Sequence, residues 1–269
     1  MESLFTAAML GLVEGLTEFL PISSSGHLVI ASSLLGFEGP KAATFGVVIQ
    51  VGAILAVLTL YWRRFYGLLF PRPGSSSFSG LRGILLLILT TLPGATLGLA
   101  LHGFIKTLFT PLSVSAALVV GGILMIVVEK VMAECQNDQP TVTLDQLTMK
   151  QAFGIGCFQC LALWPGFSRS ASTIMGGMIL GVRRETAAEY SFVAAVPIIM
   201  GAAGYDLLKS FSLFSEADIP FFLVGSGIAF LSAIVAMRSF IAILKNNTLR
   251  PFAFYRFFIA VPVYWFMVS

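Results

Sequence analysis

Charge is scarce in this sequence. Only 11% of its 269 residues are charged, against 57% hydrophobic, and the mean hydropathy is +0.91. A soluble domain carries about 25% charged residues, so an integral membrane protein is expected instead. The net charge of +3 is too small to suggest a nucleic-acid partner. The long apolar segments lack strict alternation, which favours helices over a β-barrel. The first apolar segment lacks a basic leader and contains two Glu, so no removable signal peptide is expected. Cysteine is rare as well: Cys135, Cys157 and Cys160. Cys157 and Cys160 have the spacing of a redox or metal pair. No second Cys/His pair accompanies them in their apolar helix, so helix packing is the expected role.

Within the apolar segments, charged and hydroxyl side chains gather in two places. The first is EGLTEFLPISSSGH, Glu14 to His27, which holds two carboxylates, three consecutive serines and one of only two histidines. Glu14 and Glu18 are four apart and share one face of a helix. Pro21 ends that helix, and the serines with Gly26 favour a turn or a new helix N-terminus. The flanks are membrane-like, and an ionisable group at membrane depth marks a functional site by default. The second cluster, PGFSRSAST, sets Arg169 among Ser168, Ser170, Ser172 and Thr173.

The chain divides into two similar halves. Residues 4–20 and 26–35 form a broken helical hairpin, the second arm too short for a crossing of about 20 residues. Spans are expected near 42–62, 83–101 and 112–131, with a basic Pro/Gly/Ser-rich loop after the first. A polar linker at 134–147 separates residues 1–133 from 148–269 within one membrane domain. The second half repeats the scheme, with 149–163 broken at Trp164-Pro165-Gly166, a short 168–180, and spans near 187–208, 219–237 and 249–268. A shift of 145 residues places Gly11 on Gly156, Glu14 on Gln159 and Ser23–Ser25 on Ser168–Ser170. Three spans per half send the second half in from the opposite face. The expected fold is therefore an all-α membrane protein with an inverted-topology repeat, each half a re-entrant hairpin plus three transmembrane helices.

Charge assigns the sides. Arg63, Arg64, Arg72, Arg82, Lys130, Lys150, Arg183, Arg184, Arg238, Lys245 and Arg250 fall on one face, and Lys41, Lys106 and Lys209 on the other. The richer face is expected to be cytoplasmic. Both termini and the Glu14–His27 hairpin then approach from outside, and the second hairpin from the cytoplasm.

Chemically, an Arg at this depth needs an anion, either Glu14 or Glu18 in a structural ion pair or a ligand phosphate. Both hairpins restart as helices inside Ser-rich turns, whose N–H groups, hydroxyls and guanidinium suit phosphate. Ser24 or a neighbour has nucleophile chemistry, and His27 and the carboxylates can move its proton. The two carboxylates can alternatively hold Mg²⁺ or Ca²⁺.

EGLTEFLPISSSGH and PGFSRSAST together resemble the two signature regions of the bacterial undecaprenyl-diphosphate phosphatases, the bacitracin-resistance membrane proteins. The resemblance covers essentially the whole chain. It implies hydrolysis of the C55 isoprenoid diphosphate to its monophosphate, recycling the peptidoglycan lipid carrier on the outer side of the bacterial cell membrane. By motif position it implies catalytic Glu14, Glu18, Ser24, His27 and Arg169. Ser23, Ser25, Ser168, Ser170 and Thr173 would bind phosphate, and Glu14 and Glu18 would hold any divalent ion. Ser25 stands where many members carry Thr, and the hydroxyl is kept. In the preferred scheme Ser24 attacks, His27 or Glu18 takes its proton, and Arg169 stabilises the equatorial charge. Water attack with Glu as base is the competing scheme. Expected partners are a polyprenyl diphosphate, the bilayer and, in an oligomer, a second copy. No organic cofactor is expected.

Two rival readings differ from this one in the residues they need. Type 2 acid lipid phosphatases resemble this site but need a second His, where residue 175 is Met and His102 has no motif around it. A secondary transporter or flippase for a lipid or anionic substrate shares the repeat, the broken helices and the midplane charges. Gln50 and Gly52-Ala53 in the first span are expected to serve helix packing.

Overall fold

The computed structural model describes residues 3–71, 78–135, 143–210 and 216–268. Arg72 and the middle of the linker lie outside them. Twelve α-helices and no strand occur among the described residues: α1 Leu4–Thr17, α2 Ser24–Leu34, α3 Pro40–Leu60, α4 Trp62–Leu69, α5 Gly80–Ala100, α6 His102–Thr107, α7 Pro111–Cys135, α8 Met149–Gln159, α9 Arg169–Ile179, α10 Arg184–Ser210, α11 Ile219–Leu244 and α12 Arg250–Val268. Six of these, α3, α5, α7, α10, α11 and α12, are long and apolar enough to cross a membrane. The expected order of a broken hairpin followed by three long helices is present in each half. Sequence reading missed α4, which fills part of the expected loop with Arg63 exposed and Leu68 buried.

Local signals explain the breaks. α1 begins at Ser3, whose hydroxyl accepts from Phe5 N at 3.2 Å. It stops ahead of Pro21, while Glu18 still has helical dihedrals and donates its N–H to Glu14 O. The face shared by the two carboxylates is therefore real. α8 is opened by a capping box of Thr148 and Gln151 and tightens into a 3-10 turn over Cys160–Leu163 before Pro165.

Packing exchanges helices between the halves. α1 lies along α11, and α8 along α5; α2 meets α12, and α9 meets α7; α3 and α10 pack together at the centre. Gly11 of α1 lies against the Gly225 carbonyl, and Gly156 of α8 against those of Leu89 and Thr90. These equivalent glycines let two backbones approach where neither a side chain nor water fits. Gly52 does the same against Ser226 of α11, so its expected packing role holds. Cys157 is exposed and Cys160 half-buried, both as free thiols, so Cys157 does not serve packing as expected.

Candidate active site

The turns of both hairpins converge in the core. Ser23 has φ 71° and Ser168 φ 79°, and no other non-glycine residue described has a positive φ. A β-substituted residue resists that conformation, so such strain persists only where its surroundings enforce it. Each of these serines caps the helix that follows, Ser23 accepting from Gly26 N and Ser168 from Ala171 N. Each also meets the serine two residues on, Ser25 at 3.1 Å and Ser170 at 3.0 Å. The same device is thus built twice, 145 residues apart. It starts α2 and α9 at the two turns, where the first N–H groups of each helix have no intrahelical acceptor.

Three side chains link across that region. The Ser24 hydroxyl donates to Glu18 Oε2 at 2.6 Å. The other oxygen, Oε1, accepts from Arg169 Nη2 at 3.0 Å. Arg169 Nη1 donates to the carbonyl of Ser191 on α10 at 2.9 Å. One carboxylate therefore orients a hydroxyl on one hairpin and a guanidinium on the other. The expected ion pair exists, and Glu18 rather than Glu14 makes it. Glu14 is wholly buried, and neither of its oxygens has a hydrogen-bond donor among the described residues. It interacts electrostatically with both Glu18 and Arg169.

The remaining predicted residues divide by exposure. Ser25 is open and Ser168 half-buried, so both can reach a ligand. Ser170, Ser172 and Thr173 are buried. Ser170 donates to Leu20 O at 2.7 Å, joining the hairpins, and Ser172 donates to Ser168 O at 2.8 Å. Thr173 meets Ser191 Oγ at 2.7 Å, which steadies the residue that holds Arg169. These hydroxyls position the site. His27 is also committed: Nδ1 donates to Ser23 O at 2.7 Å, so neutral Nε2 accepts from Tyr255 at 2.8 Å. Here Glu18, not His27, is hydrogen-bonded to Ser24. His102 is exposed on α6 against Tyr205 and takes no part.

Sequence reading missed Ser191, Tyr255 and Arg256. For Ser191 and Tyr255 no motif gave a signal. Arg256 had one, since it is a charge inside the last apolar span, yet it entered neither side of the charge count. It is fully buried and donates to Leu118 O, Ala117 O, Pro21 O and Gly166 O at 3.0–3.3 Å. Two of those carbonyls are on α7, and one belongs to each hairpin turn.

Residues 7–262 match the family described as Bacitracin resistance protein BacA. The chain belongs to that family. Among its relatives, a Nitratidesulfovibrio vulgaris protein is 61% identical over 269 residues and 99% of both chains. A Desulfovibrio desulfuricans protein is 60% identical over 271 residues and the whole of both chains. A Lawsonia intracellularis protein is 53% identical over 265 residues and 98% of both. All three are called undecaprenyl-diphosphatase. With six apolar helices long enough to span, this family member is a multi-pass membrane protein.

Within it, Tyr255 fixes the ring of His27 without touching the Ser24–Glu18 pair. Removing one hydrogen bond worth about 1 kcal/mol is a modest change. Tyr255→Phe is expected to fold normally and to lower kcat by roughly three- to tenfold in steady-state phosphate release. An unchanged kcat would show that the orientation of His27 is immaterial to turnover.

Proposed function

We propose that this chain hydrolyses undecaprenyl diphosphate to undecaprenyl phosphate and inorganic phosphate, with Ser24 as nucleophile. The single observation that carries the reading is the Ser24–Glu18–Arg169 linkage at the junction of two strained, Ser-rich helix starts. Family membership and relatives of that name support the substrate.

The terminal phosphate enters between the N-termini of α2 and α9, where N–H groups, Ser25, Ser168 and Arg169 face its oxygens. Arg169 then turns from Glu18 to the incoming anion, leaving Glu18 to accept the Ser24 proton. The Ser24 oxygen attacks the terminal phosphorus and the bridging P–O bond breaks. The lipid monophosphate departs, and water afterwards cleaves the phosphoserine. Arg169 and the helix starts carry the charge of the equatorial oxygens. The orphaned, buried Glu14 oxygens beside Glu18 fit an oxygen-seeking divalent cation, and these two carboxylates would be its protein ligands, since no group of three or more His, Cys, Asp or Glu that could hold a metal occurs among the described residues. Glu14 and Glu18 would hold Mg²⁺ or Ca²⁺ through their carboxylate oxygens. Such an ion would neutralise phosphate charge.

The same reading includes an inverted repeat whose re-entrant hairpins meet near mid-membrane, with halves 1–133 and 148–269. The exchange of partner helices between halves and the duplicated Ser23/Ser168 turns support it. It also places both termini and the approach to Ser24 on the outer side of the bacterial cell membrane. Contacts at the basic end support that grouping. Arg64 bonds Asp145 at 2.6 Å, Arg82 bonds Leu147 O, and Arg184 joins Glu129 and Asn247 O. Lys41 pairs with Asp218 at 2.6 Å, joining the starts of α3 and α11, which fall on the other side.

The test is rapid quenching of the purified protein in detergent with terminally ³²P-labelled polyprenyl diphosphate. Label on a peptide containing Ser24, formed and lost at the rate of turnover, is the expected result. Phosphate release without any protein-bound label would replace Ser24 attack by water attack. Absence of phosphate release, with or without divalent ions, would favour the transport reading.

A further inference from the structure

The two halves diverge at one place where their sequences still align. The 145-residue shift that matches the turns also sets Ala42–Gly46 on Ala187–Ser191, and Ser32 on Gly177. In the second half that segment is closed. α9 packs along α10, Gly177 lies against Ala187, and Ser191 is stitched to Thr173 and Arg169. In the first half Ser32 replaces the close-packing glycine, and Gly46 replaces the stitching serine. α2 and α3 make no comparable packing. A cavity of about 500 Å³ opens between them, with Ser25 in its lining.

We infer that this cavity seats the first isoprene units of the lipid substrate, an inference that rests on the phosphatase reading above. Three observations point to that occupant. The cavity shares Ser25 with the turn that faces the terminal phosphate, and the prenyl chain begins just beyond the second phosphate, at its ester oxygen. Its walls are mainly apolar or small, with Leu28, Val29, Ala43 and Gly46 among them, and its volume suits a ligand of small-molecule size. The equivalent route past Arg169 is sealed by α10, so the chain leaves the site between α2 and α3. Gln50 lines this cavity, so it is not confined to the helix packing expected of it. The inverted repeat thus supplies two phosphate-facing turns but only one exit for the tail.

Gly46 tests this directly. A Cβ there would meet only a Leu28 methyl at ordinary contact distance, so Gly46→Ala is sterically acceptable and Gly46→Phe directs a ring into the cavity. The probes are dimethylallyl diphosphate and farnesyl diphosphate, with one and three isoprene units, and the readout is the ratio of their KM values in the full-length protein. In the unmodified protein the longer chain is expected to have the lower KM by about 30-fold or more, through the added apolar burial. Gly46→Phe should bring that ratio to within about threefold of unity, and Gly46→Ala should leave most of it. A farnesyl diphosphate with a photoreactive diazirine on its first isoprene should label α2 or α3. Retention of the full ratio in Gly46→Phe, or labelling elsewhere, overturns the inference. If Gly46→Phe fails to fold, the labelling pattern of the unmodified protein decides alone. Failure of the phosphatase reading is distinct: the unmodified protein would release phosphate from neither compound.

Discussion

Glu18→Gln is expected to lower kcat by about 10²- to 10⁴-fold, the range that a positioned general base contributes. The substitution keeps the size of the side chain and can still accept from Ser24. It removes the charge that pairs with Arg169 and the basicity that takes the Ser24 proton. Ser24→Ala should cost at least as much, because it removes the attacking oxygen itself. The deciding feature is the double variant. Groups that act as a unit are strongly non-additive, so Glu18→Gln with Ser24→Ala should be no slower than the slower single variant. Multiplying effects would mean that the 2.6 Å contact is only a resting-state hydrogen bond and that Glu18 acts on something other than Ser24. His27→Gln offers the contrast, since its ring nitrogens are held by Ser23 O and Tyr255. Its loss should be much smaller than that of Glu18→Gln. All four proteins should be compared by phosphate release at saturating substrate, with a melting curve for each to confirm folding.

Much of this site was legible because the membrane makes polar residues expensive. In a chain with 11% charge, Glu14, Glu18 and Arg169 stand out, and physics supplies few reasons for them other than ligands and partners. The element order was legible for the same reason, since six runs of sufficient apolar length leave little choice. What sequence could not show is direction. Ser170, Thr173 and Ser25 look alike in a motif, yet the first two turn inward and only Ser25 stays open. Helix phase and tertiary packing decide that. His27 was likewise a sound candidate for Ser24's proton until Tyr255, 228 residues away, occupied its free nitrogen. α4 escaped notice because its short amphipathic pattern lies beside a Pro/Gly/Ser-rich stretch that reads as loop.

Arg256 carries the other large expected effect, and it falls on folding before chemistry. A guanidinium normally enters the core with a carboxylate, yet this one is held by four backbone carbonyls and lies 5.8 Å from the centre of the Phe167 ring. The carbonyls of Pro21 and Gly166 belong to helix interruptions, where no next turn of helix supplies an N–H. Both residues are buried, and a buried polar group left unsatisfied costs about 1–3 kcal/mol or more. Arg256 therefore lets two irregular turns exist side by side and ties both to α7. Arg256→Met keeps much of the volume and orphans the Pro21 and Gly166 carbonyls, while Ala117 O and Leu118 O keep their donors within α7. A loss of about 3–5 kcal/mol is expected, by analogy with removing one partner of a buried pair. The Tm in detergent should fall by on the order of 10 °C. Arg256→Lys is the sharper test. Its three donors radiate from one nitrogen and cannot span carbonyls on α7 and on both turns at once. Lys should restore part of the Tm while kcat stays low, because the Ser23 and Ser168 starts lose their common brace. If Arg256→Lys matches the unmodified protein in both Tm and kcat, a positive charge alone suffices, and the planar fork joining the two turns has no role in aligning Ser24 with Arg169.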